Sequence, residues 1–258
     1  MTEKEQDASE SVGPLGLGER YRRLFNKRGQ DWWSIVFGYP VGRFLVLILP
    51  PFSWITPTLL TFMGFGTRLG ASILVLNADP LSTMACLILL QITTVLDAMD
   101  GTLARYRKMG SIAGAFYDKI LDGIGLFILG VGLGMRAYME TGNPWLIPAA
   151  CGAGAAYIAV CYMYWVVEAV REKEPTAASL SGEAPVPTWG GIAQEWLAGW
   201  KEIIRFNEAD LYFWVCLFIV LDQWAIMVYF LLITQGFTLI KRGFDHSRFL
   251  SKMDQKSS

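Results

Sequence analysis

The sequence predicts an all-α membrane protein, with six transmembrane helices and an N-terminal amphipathic helix at the interface. Three observations lead there. Hydrophobic residues make up 53% of the 258 and charged residues only 17%, far from the balance of an ordinary soluble domain. The apolar residues gather in runs close to the roughly 20 needed to cross a bilayer. Small residues recur at four-residue spacing, as at Gly66 and Gly70, which suits close helix packing in lipid. A net charge of −1 and a pI near 5.9 give no sign of nucleic-acid binding. Cys86, Cys151, Cys161 and Cys216 lie in apolar segments without a CxxC pair, so they read as buried reduced thiols. His246 is the single histidine and falls in the C-terminal tail, which leaves carboxylates as the available bases.

Residues 1–30 begin acidic and end basic, with no apolar signal-peptide core, and read as a disordered polar cytoplasmic tail. Residues 31–54 are apolar but interrupted by Pro40, Arg43 and Pro50-Pro51. A span here would put the basic N-terminus and the later basic loops on opposite sides, against the positive-inside rule. The segment is therefore expected to lie at the interface, anchored by Trp32 and Trp33.

Residues 55–243 form the transmembrane domain. Spans are expected at about 57–77, 81–104, 111–134 and 145–168. The first begins Thr56-Pro57-Thr58, with proline as first helical residue. Arg68 near its middle snorkels, pairs with a buried acid, or lines a pocket. The third carries a glycine-rich run ending at Gly134, a position expected to tolerate alanine. Residues 172–188 form a loop. Trp189, Ile192, Trp196 and Trp200 then recur at helical spacing, an amphipathic helix at the membrane surface within 172–208. The run 210–240 is long enough for two short spans joined at Asp222-Gln223. Residues 244–258 read as a cytoplasmic tail. The basic segments then share one side, the cytoplasm, and the site at 97–122 faces it.

That stretch is where the chemistry concentrates. Asp97 and Asp100 are three residues apart, and Asp118 and Asp122 four apart, so each pair shares one helix face. Carboxylates at membrane depth cost several kcal/mol each and usually have partners and a function. Four facing carboxylates repel unless a cation sits between them. Oxygen ligands with no histidine or cysteine nearby suit Mg²⁺ or Mn²⁺, ions typically bound together with substrate phosphates. Gly101, Ala104 and Gly114 leave room for a ligand beside the metals, and Arg105 offers a fork for phosphate oxygens.

The stretch resembles the signature of the CDP-alcohol phosphatidyltransferases, D-x2-D-G-x2-A-R-x8-G-x3-D-x3-D. It matches at Asp97, Asp100, Gly101, Ala104, Arg105, Gly114, Asp118 and Asp122. The resemblance implies transfer from a CDP-linked alcohol to a second alcohol, with release of CMP and two Mg²⁺ or Mn²⁺ ions per site. It implies Asp97, Asp100 and Asp118 as metal ligands, with Asp122 as the base and a further contact to metal. Gly101, Arg105 and Ser111 match positions for the nucleotide and its phosphates, and Ala104 and Gly114 belong to the same site. Thr61 is kept from the family's P-N-x-x-T lead-in, whereas Thr58 stands where asparagine is frequent. Ser111 serves equally as the N-cap of the third span. Lys119, Arg171 and Arg68 are the candidate partners for an acceptor.

The function expected is phosphatidyl transfer from CDP-diacylglycerol to a small polar alcohol, in phospholipid biosynthesis at the inner membrane. An alternative keeps the fold and reverses the parts: a CDP-headgroup gives its phosphoalcohol to a lipid or polyol. A third reading, from another class, is an ion-coupled transporter. Transporters show repeated halves and broken spans; here the acids crowd one helix pair and no internal repeat is visible. The partners expected are the CDP-linked lipid, an alcohol or alcohol phosphate, membrane lipids and a second copy in a homodimer.

Overall fold

The computed structural model describes residues 16–25, 31–49, 52–171, 187–201, 203 and 206–257. All regular structure among them is helical. The order is α1 (Leu17–Arg23), a π-helical turn (Ser34–Gly38) running into α2 (Tyr39–Ile48), α3 (Pro57–Leu74), α4 (Pro80–Tyr106), α5 (Ile112–Thr141), α6 (Leu146–Arg171), α7 (Trp189–Trp200), α8 (Glu208–Val220) and α9 (Trp224–Ser257).

The helix starts are chemically marked. The Thr56 hydroxyl accepts from Leu59 N–H at 3.2 Å, the Asp79 carboxylate from Ser82 N–H at 2.8 Å, and the Ser111 hydroxyl from Gly114 N–H at 3.0 Å. Each satisfies an amide that the first turn leaves without an intrahelical partner. Pro57 and Pro80 follow two of these caps, where a missing N–H costs nothing. Helix α5 runs past its expected end at 134 as far as Thr141. There Gly142, with φ of 70°, takes the left-handed conformation that closes it.

α4, α5, α6 and α9 are long and apolar enough to cross a membrane. α3 and α8 are not: Arg68 and three glycines dilute α3, and α8 has 13 residues. Length and composition thus support four spans rather than the six expected. The break between α8 and α9 does fall at Asp222, whose φ is 54°.

α3 packs against both α4 and α5, α5 against α6, and α6 against α9. The main core joins Ala71, Leu90, Leu129, Leu133, Leu146, Val215 and Met227. A second core holds Leu24, Val46, Leu60, Val95, Met99 and Leu103, so the N-terminal segment is seated on α4.

Three expectations are corrected here. The segment 1–30 is not wholly a disordered tail, because α1 lies within it. Leu24 beside it is buried, Tyr21 stacks on Trp189, and Arg22 donates to the Pro187 carbonyl at 2.8 Å. Trp32 is no interfacial anchor. It is 0% exposed, packed among Trp33, Trp200 and Phe213. The residues after 243 continue α9 as helix.

Gly134 is the fourth correction. A Cβ there would lie 2.6 Å from the Ala150 Cβ and 3.2 Å from the Leu146 carbonyl oxygen, because α5 and α6 cross at that point. Overpacking of this kind costs about 1–3 kcal/mol. Gly134→Ala should therefore lower the melting temperature of the detergent-solubilised protein. Gly66→Ala, with nothing within 4 Å, should leave it unchanged. Equal melting temperatures for the two variants would contradict this crossing.

Candidate active site

Two helices carry the carboxylates, and α3, packed against both, brings them together. One carboxylate oxygen from each of Asp97, Asp100 and Asp118 lies within 4.8 Å of the others. Asp100 is oriented from α3: the Thr61 hydroxyl donates to its Oδ2 at 2.7 Å. Thr61, expected as a nucleotide contact, thus also positions a carboxylate. The donor set is all oxygen and carries three negative charges at close range. It fits a hard divalent cation and offers nothing to a soft one.

Beside this group lies a cavity of about 470 Å³ lined by Thr61, Gly101, Ala104, Arg105, Ser111 and Gly114, with Asp100 and Asp118 at its edge. All the residues the motif nominates for the nucleotide and phosphates therefore meet in one place. The Arg105 guanidinium lies over Gly101, 3.2 Å from where a Cβ would stand. Any side chain at 101 would push it away. Lys108 also lines the cavity. Its φ of 54° and the Met109 N–H to Ala104 carbonyl bond of 2.9 Å hold the turn after α4. Arg107 points elsewhere and donates to the carbonyls of Leu49 and Phe52 at 3.0 Å each, tying this turn to the chain before α3.

Asp122 stands outside the group of three. It is 6% exposed, and its Oδ1 accepts from Arg68 at 3.2 Å. Its buried Oδ2 accepts no hydrogen bond from the described residues; the Lys119 ammonium is 3.7 Å away. Lys119 also pairs with Asp118 at 2.9 Å. Arg68 neither snorkels nor lines an open pocket. It is 2% exposed and bridges Asp122 and Glu208, the latter at 3.0 Å. A Cβ at Gly125 would meet its Cδ at 2.6 Å, so this glycine makes room for the arginine. Arg171 ends α6, and its side chain lies outside the described residues.

Glu208 is the residue that sequence reasoning missed. It accepts from the Tyr157 hydroxyl at 2.6 Å and from the Tyr212 hydroxyl at 3.3 Å, besides Arg68. An acid in the first turn of an apolar helix reads as a cap or dipole partner, and no signal in the sequence separates it from one. Asp31 was missed for a similar reason, as one more acid in a polar stretch. Burial, and then the Glu208 charge, push Asp31 up to about 6, while a hydrogen bond from Asn207 opposes them.

A family model described as CDP-alcohol phosphatidyltransferase matches residues 54–197, more than half of the chain. A search of the curated proteins finds no match. The matched span contains α3, α4 and α5, the three helices whose side chains form the carboxylate group and the cavity beside it. The chain belongs to the CDP-alcohol phosphatidyltransferases, membrane phosphotransferases that need a divalent metal and move a phosphoalcohol from a CDP-alcohol to a second alcohol.

Proposed function

We propose that the protein transfers a phosphatidyl group from CDP-diacylglycerol to a small polar alcohol, releasing CMP. The observation that carries this reading is the placement of Asp97, Asp100 and Asp118 against a cavity that also holds Arg105, with Asp122 set apart from them. Two divalent ions, when bound by those three aspartates, supply charge neutralisation for the diphosphate and the departing CMP.

The rest falls to the chain's own residues. Arg105 and Lys108 hold phosphate oxygens, and Gly101 and Gly114 let the nucleotide lie close to the backbone. Thr61 fixes Asp100. The acceptor hydroxyl attacks the phosphorus that bears the lipid alcohol, and the bond from that phosphorus to the CMP oxygen breaks. CMP leaves with the bonding pair, and the hydroxyl proton passes to Asp122 Oδ2, the oxygen left without a hydrogen bond. Arg68 holds Asp122 from its other oxygen.

A lipid donor is favoured by what surrounds the site. Ile112, Phe116, Ile120 and Ile124 form an exposed apolar stripe along α5, and Ile112 is 93% exposed directly after Ser111 of the cavity. Tails lying along that face leave the diphosphate at the polar boundary. In this reading α3 and α8 complete six spans and the π-turn with α2 lies along the interface. The basic residues near the site favour, by the positive-inside rule, the cytoplasmic side of the inner membrane. The proposal includes assembly as a homodimer.

CMP release is the test. Purified protein given CDP-diacylglycerol, Mg²⁺ or Mn²⁺ and a panel of alcohols should release CMP, and a chelator should abolish it. Full turnover in metal-free buffer would refute the metal assignment. CMP release only from CDP-headgroup donors with a lipid acceptor would reverse donor and acceptor.

Asp97→Asn and Asp118→Asn each remove a ligand charge without changing size. Each should eliminate nearly all turnover in a protein that still purifies as a single folded species. A near-normal rate in either would remove that residue from the ligand set.

Asp122→Asn should lower turnover by about 10²–10⁴-fold, the usual worth of a positioned base, with CDP-lipid binding retained. Loss of metal and donor binding along with activity would instead make Asp122 a ligand.

A further inference from the structure

Asp122 and Lys119 also line a second cavity, of about 230 Å³. It is smaller than the several hundred Å³ that hold drug-sized ligands and suits a headgroup. Its remaining polar wall comes from Tyr157 and Tyr164 of α6, and from Asp31, Asn207, Glu208, Gln235, Thr238 and Arg242. The last six lie outside residues 54–197, the span matched by the family. The donor side of the site thus lies wholly within the matched span, and this second cavity is walled partly from outside it.

Charge in and around the second cavity balances in number, three carboxylates against three cations. Its carboxylates are Asp31, Asp122 and Glu208; the cations on them are Arg68, Lys119 and Arg242. Arg68 is held between Asp122 and Glu208, and Lys119 between Asp118 and Asp122. Arg242 donates to Asn207 Oδ1 at 2.8 Å, and the Asn207 amide bonds the Asp31 carboxylate. A phosphate here would face Asp31, Asp122 and Glu208, with Arg68 and Lys119 already held by carboxylates and Arg242 bonded to Asn207. An ammonium would find Asp122 and Glu208 already ion-paired, and Asp31 bonded by Asn207 with the Lys119 and Arg242 charges near it. Hydroxyl groups face neither cost, since a carboxylate offers about four lone-pair directions and Asn207 uses only part of those on Asp31.

Asp31 is placed firmly enough to select. Trp32, next in the chain, is fully buried against Trp200 and Phe213. The Trp33 N–H donates to Asp210 Oδ1 at 2.9 Å, and Asp210 is itself fully buried at the start of α8. The N-terminal segment is thereby locked to the helix that supplies Asn207 and Glu208.

Resting on the transferase reading above, we propose that this cavity binds the acceptor, an uncharged polyhydroxy alcohol bearing no phosphate, and that Asp31 is a specificity-determining residue for it. The test uses the full chain in lipid nanodiscs with Mg²⁺ and CDP-diacylglycerol, read as CMP release. The acceptors are glycerol and inositol, their monophosphates, and serine and ethanolamine. The polyols should give kcat/KM at least about tenfold above their phosphates and above the amino alcohols. Asp31→Asn should raise the polyol KM about tenfold, the worth of one hydrogen bond to a charged group, with the donor KM unchanged. Thr238→Val, on a different element, should act in the same direction, and it decides the matter if Asp31→Asn does not fold. Preference for a phosphate or an amino alcohol, or an effect of both variants on donor KM alone, would overturn the proposal and leave the transferase reading intact. No CMP release with any acceptor, from CDP-diacylglycerol or from CDP-headgroup donors, would overturn that reading itself and this proposal with it.

Discussion

Arg68 is buried where α3, α5 and α8 meet, and its ion pairs hold Asp122 and Glu208, two walls of the second cavity. A lone arginine at this depth would be costly, and so would Asp122 or Glu208 without it. Together they form a bridged triad whose geometry is finished by hydroxyls from Tyr157 and Tyr212. Removing one member of such a network leaves the others charged and buried, which typically costs about 3–5 kcal/mol. The triad therefore fixes α8 relative to α3 and α5 more narrowly than apolar packing alone.

This constraint gives the two carboxylate pairs different fates. Asp97, Asp100 and Asp118 each bring a carboxylate oxygen close enough to share a cation, with Thr61 bonded to Asp100 and Lys119 to Asp118. Asp122 is held back by Arg68 and turned toward the second cavity. Four acids at regular helical spacing thus divide into three that gather and one that stands apart. The division comes from a residue on a third helix.

The N-terminal segment has a comparable role on the other side. Trp32 packs inside the protein, and Trp33 is bonded through its ring N–H to Gln91 of α4 at 2.9 Å. A segment that composition assigns to the interface is tied into the wall of the site. Arg107 does the same for the turn after α4. Basic residues near a membrane surface are not all available to lipid or phosphate, and this one is occupied by backbone carbonyls.

By itself the sequence determined the two helices that carry the motif, the Ser111 cap, the four aspartates and, through the family signature, the reaction class. These depend on local spacing and residue chemistry, which survive in a linear string: i,i+3 and i,i+4 pairs, Pro at a first turn, glycine beside an arginine. The tertiary structure alone decided what lies across a gap between helices. It showed Glu208 and Asp31 beside Asp122, Trp32 in the interior, and Gly134 against Ala150. None of these has a periodic signature, because each arises from two segments far apart in the chain that meet only after folding. The span count sits between the two. Arg68 lowers the apolar character of α3 when read along the chain, yet within the fold that charge is neutralised by Asp122 and Glu208.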